Sequence, residues 1–186
     1  MTNPWRDNAE RYGRVTRWLH WTIAAVFAWQ FAGMAIKLIV GRAPITAFWV
    51  GSHVSVGTLL FVLIAARLAW ALVERPRRPP HASGLVGRAA RWGHRLLYTL
   101  MLVVPTLALV RHLGAGRDLA PFGLMLIPGD GNRVDWLTAP ADALHAPLAW
   151  LLLALIAGHV AMVAVHHFAW RDDTARRMIG RGRVSH

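Results

Sequence analysis

Hydrophobic residues in this chain run in long unbroken stretches instead of alternating with polar ones. A helix rising about 1.5 Å per residue needs about 20 apolar residues to cross about 30 Å of hydrocarbon. Four stretches come near that length, at roughly 18–40, 48–73, 92–110 and 144–170. The pattern predicts an all-α chain of four transmembrane helices, one membrane domain over residues 1–186. Between the second and third stretches, segment 74–81 carries Arg75, Pro76, Arg77, Arg78, Pro79 and Pro80. It cannot continue a helix, because proline lacks the amide donor and clashes with the preceding turn. The longest connection, 111–143, holds Gly114, Gly116, Pro121, Pro128, Gly129, Gly131 and Pro140. It is expected to be mostly irregular, with room for a short surface helix. The first eleven residues include Asn3, Asp7, Asn8 and Glu10 and contain no short apolar core with a small-residue cleavage site, so no signal peptide is expected. Neither an internal repeat nor a low-complexity tract is visible.

Composition agrees with a membrane as solvent: of 186 residues, 55% are hydrophobic and only 16% charged, too apolar for a soluble domain of this length. The formal charge of +12 invites a nucleic-acid reading. The arginines, however, sit in short clusters between apolar runs and not along an amphipathic or motif-bearing segment, so no nucleic-acid partner is expected. Cysteine is absent, which excludes disulfides, iron–sulfur clusters, thiolate ligation and the C-x-x-C-H attachment of a c-type haem. Any haem must be held non-covalently.

Cations flanking membrane spans stay on the cytoplasmic side. Arg6, Arg11, Arg14 and Arg17 precede the first stretch, Arg75, Arg77, Arg78, Arg88, Arg91 and Arg95 follow the second, and Arg171, Arg176, Arg177, Arg181 and Arg183 follow the fourth. The opposite side carries only Lys37, Arg42, Arg111, Arg117 and Arg133. Both termini are therefore expected in the cytoplasm, in keeping with an even number of spans. Trp18, Trp21, Trp70, Trp92 and Trp170 fall near the inner interface, and Trp49 and Trp136 near the outer one, where aromatic belts sit.

Ionisable groups inside a bilayer are costly, so each histidine there needs a partner. His145, opening the fourth helix, and His53, near the start of the second, can face each other at one depth on the outer side. A haem fits between them. His159 follows His145 by 14 residues, about 21 Å along the axis and about 40° short of whole turns, so the two share a face. A second haem can lie below, with His20 near the cytoplasmic end of the first helix as its other ligand. Spacing leaves alternatives open. His166 lies seven residues beyond His159 on nearly the same face, and depth favours it if the first helix begins at Trp18, whereas a start nearer Tyr12 favours His159. His94 and His112, 18 residues apart, also share a face. A single intramembrane histidine is more often a hydrogen-bonded helix contact than a ligand; four at matched depths on three helices shift the balance, and few membrane carboxylates compete for a metal. His81 and His186 lie in polar segments and are expected in water, and His112 at the interface.

These residues resemble the prokaryotic cytochrome b561 family, small four-helix di-haem b cytochromes of the bacterial inner membrane. The likeness runs through Arg17-Trp18-Leu19-His20-Trp21, His53-Val54-Ser55-Val56-Gly57, Gly93-His94-Arg95-Leu96-Leu97-Tyr98, Leu144-His145 and Gly158-His159. Its most specific part is the tail, His166-His167-Phe168-Ala169-Trp170-Arg171-Asp172-Asp173-Thr174 with Arg176-Arg177-Met178 after it. The resemblance implies His53 with His145 as iron ligands of an outer haem b and His20 with His159 of an inner one, against His166. It further implies electron exchange with ubiquinone and, in some members, oxidation of superoxide at the periplasmic face. His166 and Trp170 then become candidate quinone contacts; for His166 the competing reading is a water-exposed interfacial residue. Pro147, two residues after His145, departs from a plain helix and must sit in the first turn or kink it.

Two imidazoles on each iron leave no open coordination position, so such haems carry electrons and do not bind oxygen. Arg67, 14 residues after His53 on nearly the same face, is a candidate haem-propionate or quinone partner, or it snorkels to the inner interface. Positive charge at the outer surface would speed capture of an anion such as superoxide. The long connection mixes Arg111, Arg117 and Arg133 with Asp118, Asp130, Asp135 and Asp142, which leaves Lys37 and Arg42 to supply it. Other readings are a cytochrome b subunit anchoring a dehydrogenase or hydrogenase through a redox-protein partner, and a haem-free transporter, which would usually show more spans and broken helices.

Overall fold

The computed structural model describes residues 3–79 and 84–180; His81, His186, Arg181 and Arg183 lie outside them. The chain is 78% helical, and among the described residues it has no strand, only an isolated bridge between Leu119 and Ile127. Among the described residues, four helices are long and apolar enough to cross a membrane: α1 (Arg14–Val40), α2 (Pro44–Val73), α3 (Gly84–Gly114) and α4 (Asp135–Ala164). A π-helical turn, Val165–Ala169, prolongs α4, and the short α5 (Thr174–Ile179) ends the described chain.

Each span is longer than its apolar stretch. Helix α3 starts eight residues before 92, since segment 84–91 contains Arg88 and Arg91 and scores as polar while remaining helical. Likewise, α4 begins at Asp135 and takes in Pro140, which was expected in the irregular connection. Proline near a helix start is tolerated because amides there have no carbonyl to reach or only a marginal one. Pro147 consequently sits in the helix interior, as does Pro105 in α3, and each leaves one carbonyl of the preceding turn without its usual donor. Between α1 and α2, Gly41 has φ 72° and its amide reaches back to the Lys37 carbonyl at 3.0 Å, a left-handed helix end that glycine takes without steric cost.

The chain divides into two compact units, each drawing one segment from every long helix. The first comprises Met1–Thr22, Ala65–Thr99 and Leu153–His186. Its apolar core of Leu19, Ala71 and Leu97 is joined by buried Thr16, Arg67, Asp7 and Glu74. Glu74 is fully buried and accepts Arg6 Nε at 2.8 Å, Arg6 Nη2 at 2.6 Å and the Asp7 amide at 2.9 Å. Asp7 in turn accepts the Gly13 amide at 2.7 Å and Arg78 Nε at 3.2 Å. The N-terminal arm is thus clamped onto the end of α2 by hydrogen bonds and ion pairs to both buried carboxylates. Burial alone would raise the Glu74 pKa, but the Arg6 guanidinium and the Asp7 amide outweigh it and hold the carboxyl below its ordinary value.

The second unit comprises Ile23–Ile64 and Leu100–Leu152, with a core including Phe27, Leu60, Ile64, Val104 and Leu152. Helices α1 and α2 approach closely where Gly33 faces Trp49; a Cβ on Gly33 would lie 2.9 Å from the indole. Connection 115–134 is irregular as expected, with a 3-10 turn at Pro121–Gly123 in place of a surface helix. It is tied at its base by His112 Nε2 to the Asp118 carbonyl at 2.8 Å and by the Gly129 amide to Asp118 Oδ1 at 2.7 Å. Arg111 pairs with Asp142, and Arg133 with Asp135 at 2.8 Å and Asp142 at 3.3 Å.

Candidate functional site

In the second unit, His53 on α2 and His145 on α4 face each other with ring centroids 6.2 Å apart and planes at 83°. Imidazole nitrogen binds a metal at about 2 Å, and the ring centre lies about 1 Å further back. Two imidazoles on opposite sides of one metal therefore have centroids about 6 Å apart. His145 Nδ1 lies 3.2 Å from the Val104 carbonyl. A carbonyl only accepts, so Nδ1 is the donor and Nε2 is the nitrogen left available, the usual way a metal-binding histidine is oriented. Both rings line a cavity of about 330 Å³ walled by Phe27, Phe31, Met34, Leu60 and Val104 among others, within the range of cofactor pockets. His53 Nδ1 is buried with no hydrogen-bond partner in the structure, while Gln30 Nε2 donates to the His53 carbonyl at 3.2 Å. Lys37 and His112 also line the cavity.

In the first unit, His20 on α1 and His159 on α4 stand 6.4 Å apart, centroid to centroid, at 65°. His94 on α3 is closer to His159, at 5.4 Å, and its Nδ1 lies 2.7 Å from the Ala90 carbonyl one turn back. The start of α1 at Arg14 sets His20 farther from the helix end than a start at Trp18 would. His166 joins neither pair. The π turn and a left-handed Arg171 (φ 51°) fold the chain back, so that Asp172 Oδ2 lies 2.5 Å from His166 Nδ1 and the Trp170 ring stands edge-on to His166 at 4.6 Å. Burial would raise the Asp172 pKa, but His166 and the Thr174 amide outweigh it and hold the carboxyl below its ordinary value. Arg67 is buried, its Nη1 donating to the Thr16 carbonyl at 2.7 Å, and Trp70 Nε1 donates to Thr16 Oγ1 at 2.9 Å. Its guanidinium is therefore held inside the unit instead of snorkelling outward.

Among the described residues no three His, Asp or Glu side chains converge as they would on a bare ion. Two imidazoles bordering an apolar cavity, as His53 and His145 do, instead fit a metal that arrives inside an organic cofactor, such as haem iron. Residue type and spacing did not single out three features: Asp172 as the partner of His166, the Val104 carbonyl as that of His145, and Gln30 beside His53. A lone glutamine within a span could have marked the last.

Comparison with known proteins gives the same answer over nearly the whole chain. Residues 11–181 match the family model described as prokaryotic cytochrome b561. Cytochrome b561 homolog 2 of Escherichia coli K12 is 30% identical over 184 residues, covering 94% of each chain. The probable superoxide oxidase CybB of Yersinia pestis is 24% identical, covering 94% of this chain and 98% of its own. Cytochrome b561 homolog 1 of E. coli K12 is also 24% identical, over 92% and 98%. With four apolar helices and facing histidines in each unit, this chain belongs to the prokaryotic cytochrome b561 family of haem-binding membrane cytochromes.

Proposed function

We propose that His53 with His145, and His20 with His159, each hold one haem b, and that the chain passes electrons from superoxide at the outer membrane face to ubiquinone at the cytoplasmic face. The observation that carries this reading is the pair of histidine couples at 6.2 and 6.4 Å, the spacing that one shared metal requires. Haem b supplies a reversible one-electron carrier at each couple. Two superoxide ions each give up one electron and become dioxygen; the two electrons and two protons convert one ubiquinone to ubiquinol.

The protein's own groups bear on both ends. Lys37 lines the cavity shared by His53 and His145, and no carboxylate pairs with it among the described residues. Arg111 and Arg133 are neutralised by Asp135 and Asp142, so among the described residues Lys37, Arg42 and Arg117 are the outer-side cations left to attract an anion there. At the other end, His166 and Trp170 would contact the quinone, with Asp172 fixing the imidazole so that its second nitrogen can pass a proton to a quinone oxygen. The first unit holds the arginine-rich N-terminal arm and tail, which by the distribution of cations faces the cytoplasm of an inner-membrane protein.

An alkaline pyridine spectrum of the detergent-purified chain, with a reduced-minus-oxidised scan, should give two non-covalent b haems per chain. The same preparation should reduce ubiquinone on addition of superoxide with no other protein. A colourless chain after haem-supplemented expression would overturn the haem reading. Two haems that quinol reduces but superoxide does not would leave the haems and point to a redox-protein donor.

A further inference from the structure

The connection between α3 and α4 carries an apolar surface that neither the haem nor the quinone reading uses. Phe122, Leu124, Met125, Leu126 and Ile127 are between 43% and 68% exposed, and segment 119–129 contains no charged residue. A water-facing loop seldom gathers five large apolar side chains in six residues.

Its backbone is equally unusual for a loop in water. The Phe122 amide donates to Ser55 Oγ at 3.0 Å. Gly123 donates to the Ala120 carbonyl at 3.2 Å, Leu124 to Pro121 at 3.0 Å, Leu126 to Leu119 at 2.9 Å and Ile127 to Leu119 at 3.3 Å. Nearly every donor of 122–127 is thus satisfied inside the protein, which hydrocarbon demands and water does not. Ser55, moreover, lies eleven residues into α2, about 16 Å along its axis. The loop folds back beside a membrane-spanning helix and does not stand off from its end. Charges resume at its two edges, with Arg117 and Asp118 before it and Asp130 and Arg133 after it, and Trp136 beyond is 75% exposed, an arrangement suited to a headgroup boundary.

We infer that segment 119–128 is a re-entrant membrane loop whose apolar side chains are seated among lipid acyl chains beside α2. Its occupant is the bilayer, and the exposed face continues the apolar surface that α2 presents at Phe48 and Val62, on the same helix face as Ser55.

The chain has no cysteine, so single replacements give unambiguous labelling. Leu124→Cys and Leu126→Cys, spin-labelled and reconstituted in phosphatidylethanolamine–phosphatidylglycerol vesicles, should collide several-fold more with oxygen relative to a water-soluble nickel chelate than does an Asp130→Cys label. A ratio equal to that at Asp130 would place the loop in water and overturn the inference. Labels shielded from both quenchers would overturn it in favour of a protein partner or a second copy covering the loop. Should either variant fail to give the far-UV helicity and elution volume of the parent, the unmodified chain serves. Photolysis in vesicles containing diazirine-bearing acyl chains should then add lipid to the peptide spanning 119–127, and its absence there, with adducts on α2, would overturn the inference.

Discussion

His145 shows how much a single hydrogen bond can decide. Its Nδ1 is committed to the Val104 carbonyl, next to the interior Pro105, so Nε2 is the nitrogen left for a metal on the proposed reading. His53 has no such partner for Nδ1. On the proposed reading, His53→Ala or His145→Ala should lower the haem content from two to one, with the remaining haem still reducible by quinol. Loss of both haems from a chain of unchanged helicity would contradict the pairing. Lys37 offers a second test at this scale. Removing one cation beside a site of anion capture slows association and flattens its dependence on salt. Lys37→Gln should therefore lower the second-order rate with superoxide by about 2- to 10-fold at low ionic strength, with the difference shrinking at high salt and haem content unchanged. Stopped-flow measurement across a salt series would show it.

Elements matter at two helix ends. At the close of α2, Glu74 binds Arg6 and the Asp7 amide while fully buried, and its carboxyl is held below the ordinary 4.5. A carboxyl depressed in the folded state contributes stability above its unfolded pKa, and that contribution is lost as pH falls through the folded value. The N-terminal arm should accordingly loosen as pH drops below about 4.5, read as faster acid-protease cleavage of the arm. Glu74→Gln should loosen it already at neutral pH, costing about 1–3 kcal/mol, toward the lower end because Arg6 is 37% exposed and partly screened. Trypsin cleavage after Arg6 or Arg11 would report the change. At the close of α4, the π turn brings Asp172 to His166. Asp172→Asn should raise the KM for ubiquinone several-fold and shift the acid limb of quinone reduction, leaving haem number and the superoxide rate with saturating acceptor untouched. An unaltered quinone KM and pH profile would make Asp172 a purely structural stop to the helix.

For the whole molecule, the charge distribution makes a topological prediction. The cations of the N-terminal arm, second connection and tail belong to the first unit. Proteases added to right-side-out vesicles should therefore leave tags at both termini intact and cut them only after permeabilisation. The sequence by itself determined the four spans and the all-α class and drew attention to the intramembrane histidines, because hydrophobic length and the cost of an ionisable group in lipid are local properties that composition records. It underestimated the spans at 84–91 and 135–143, where arginine, aspartate and proline interrupt the apolar count while the backbone stays helical. Spacing along one helix could place His159, His166 and His145 on nearly one face, but it could not say which ring on another helix each one meets. Only the tertiary structure set His20 at 6.4 Å from His159 and turned His166 toward Asp172. The physical reason is that facing distances depend on where each helix begins and how its neighbours pack. The left-handed Arg171 and the π turn that redirect the chain after α4 are backbone states that residue type alone does not announce.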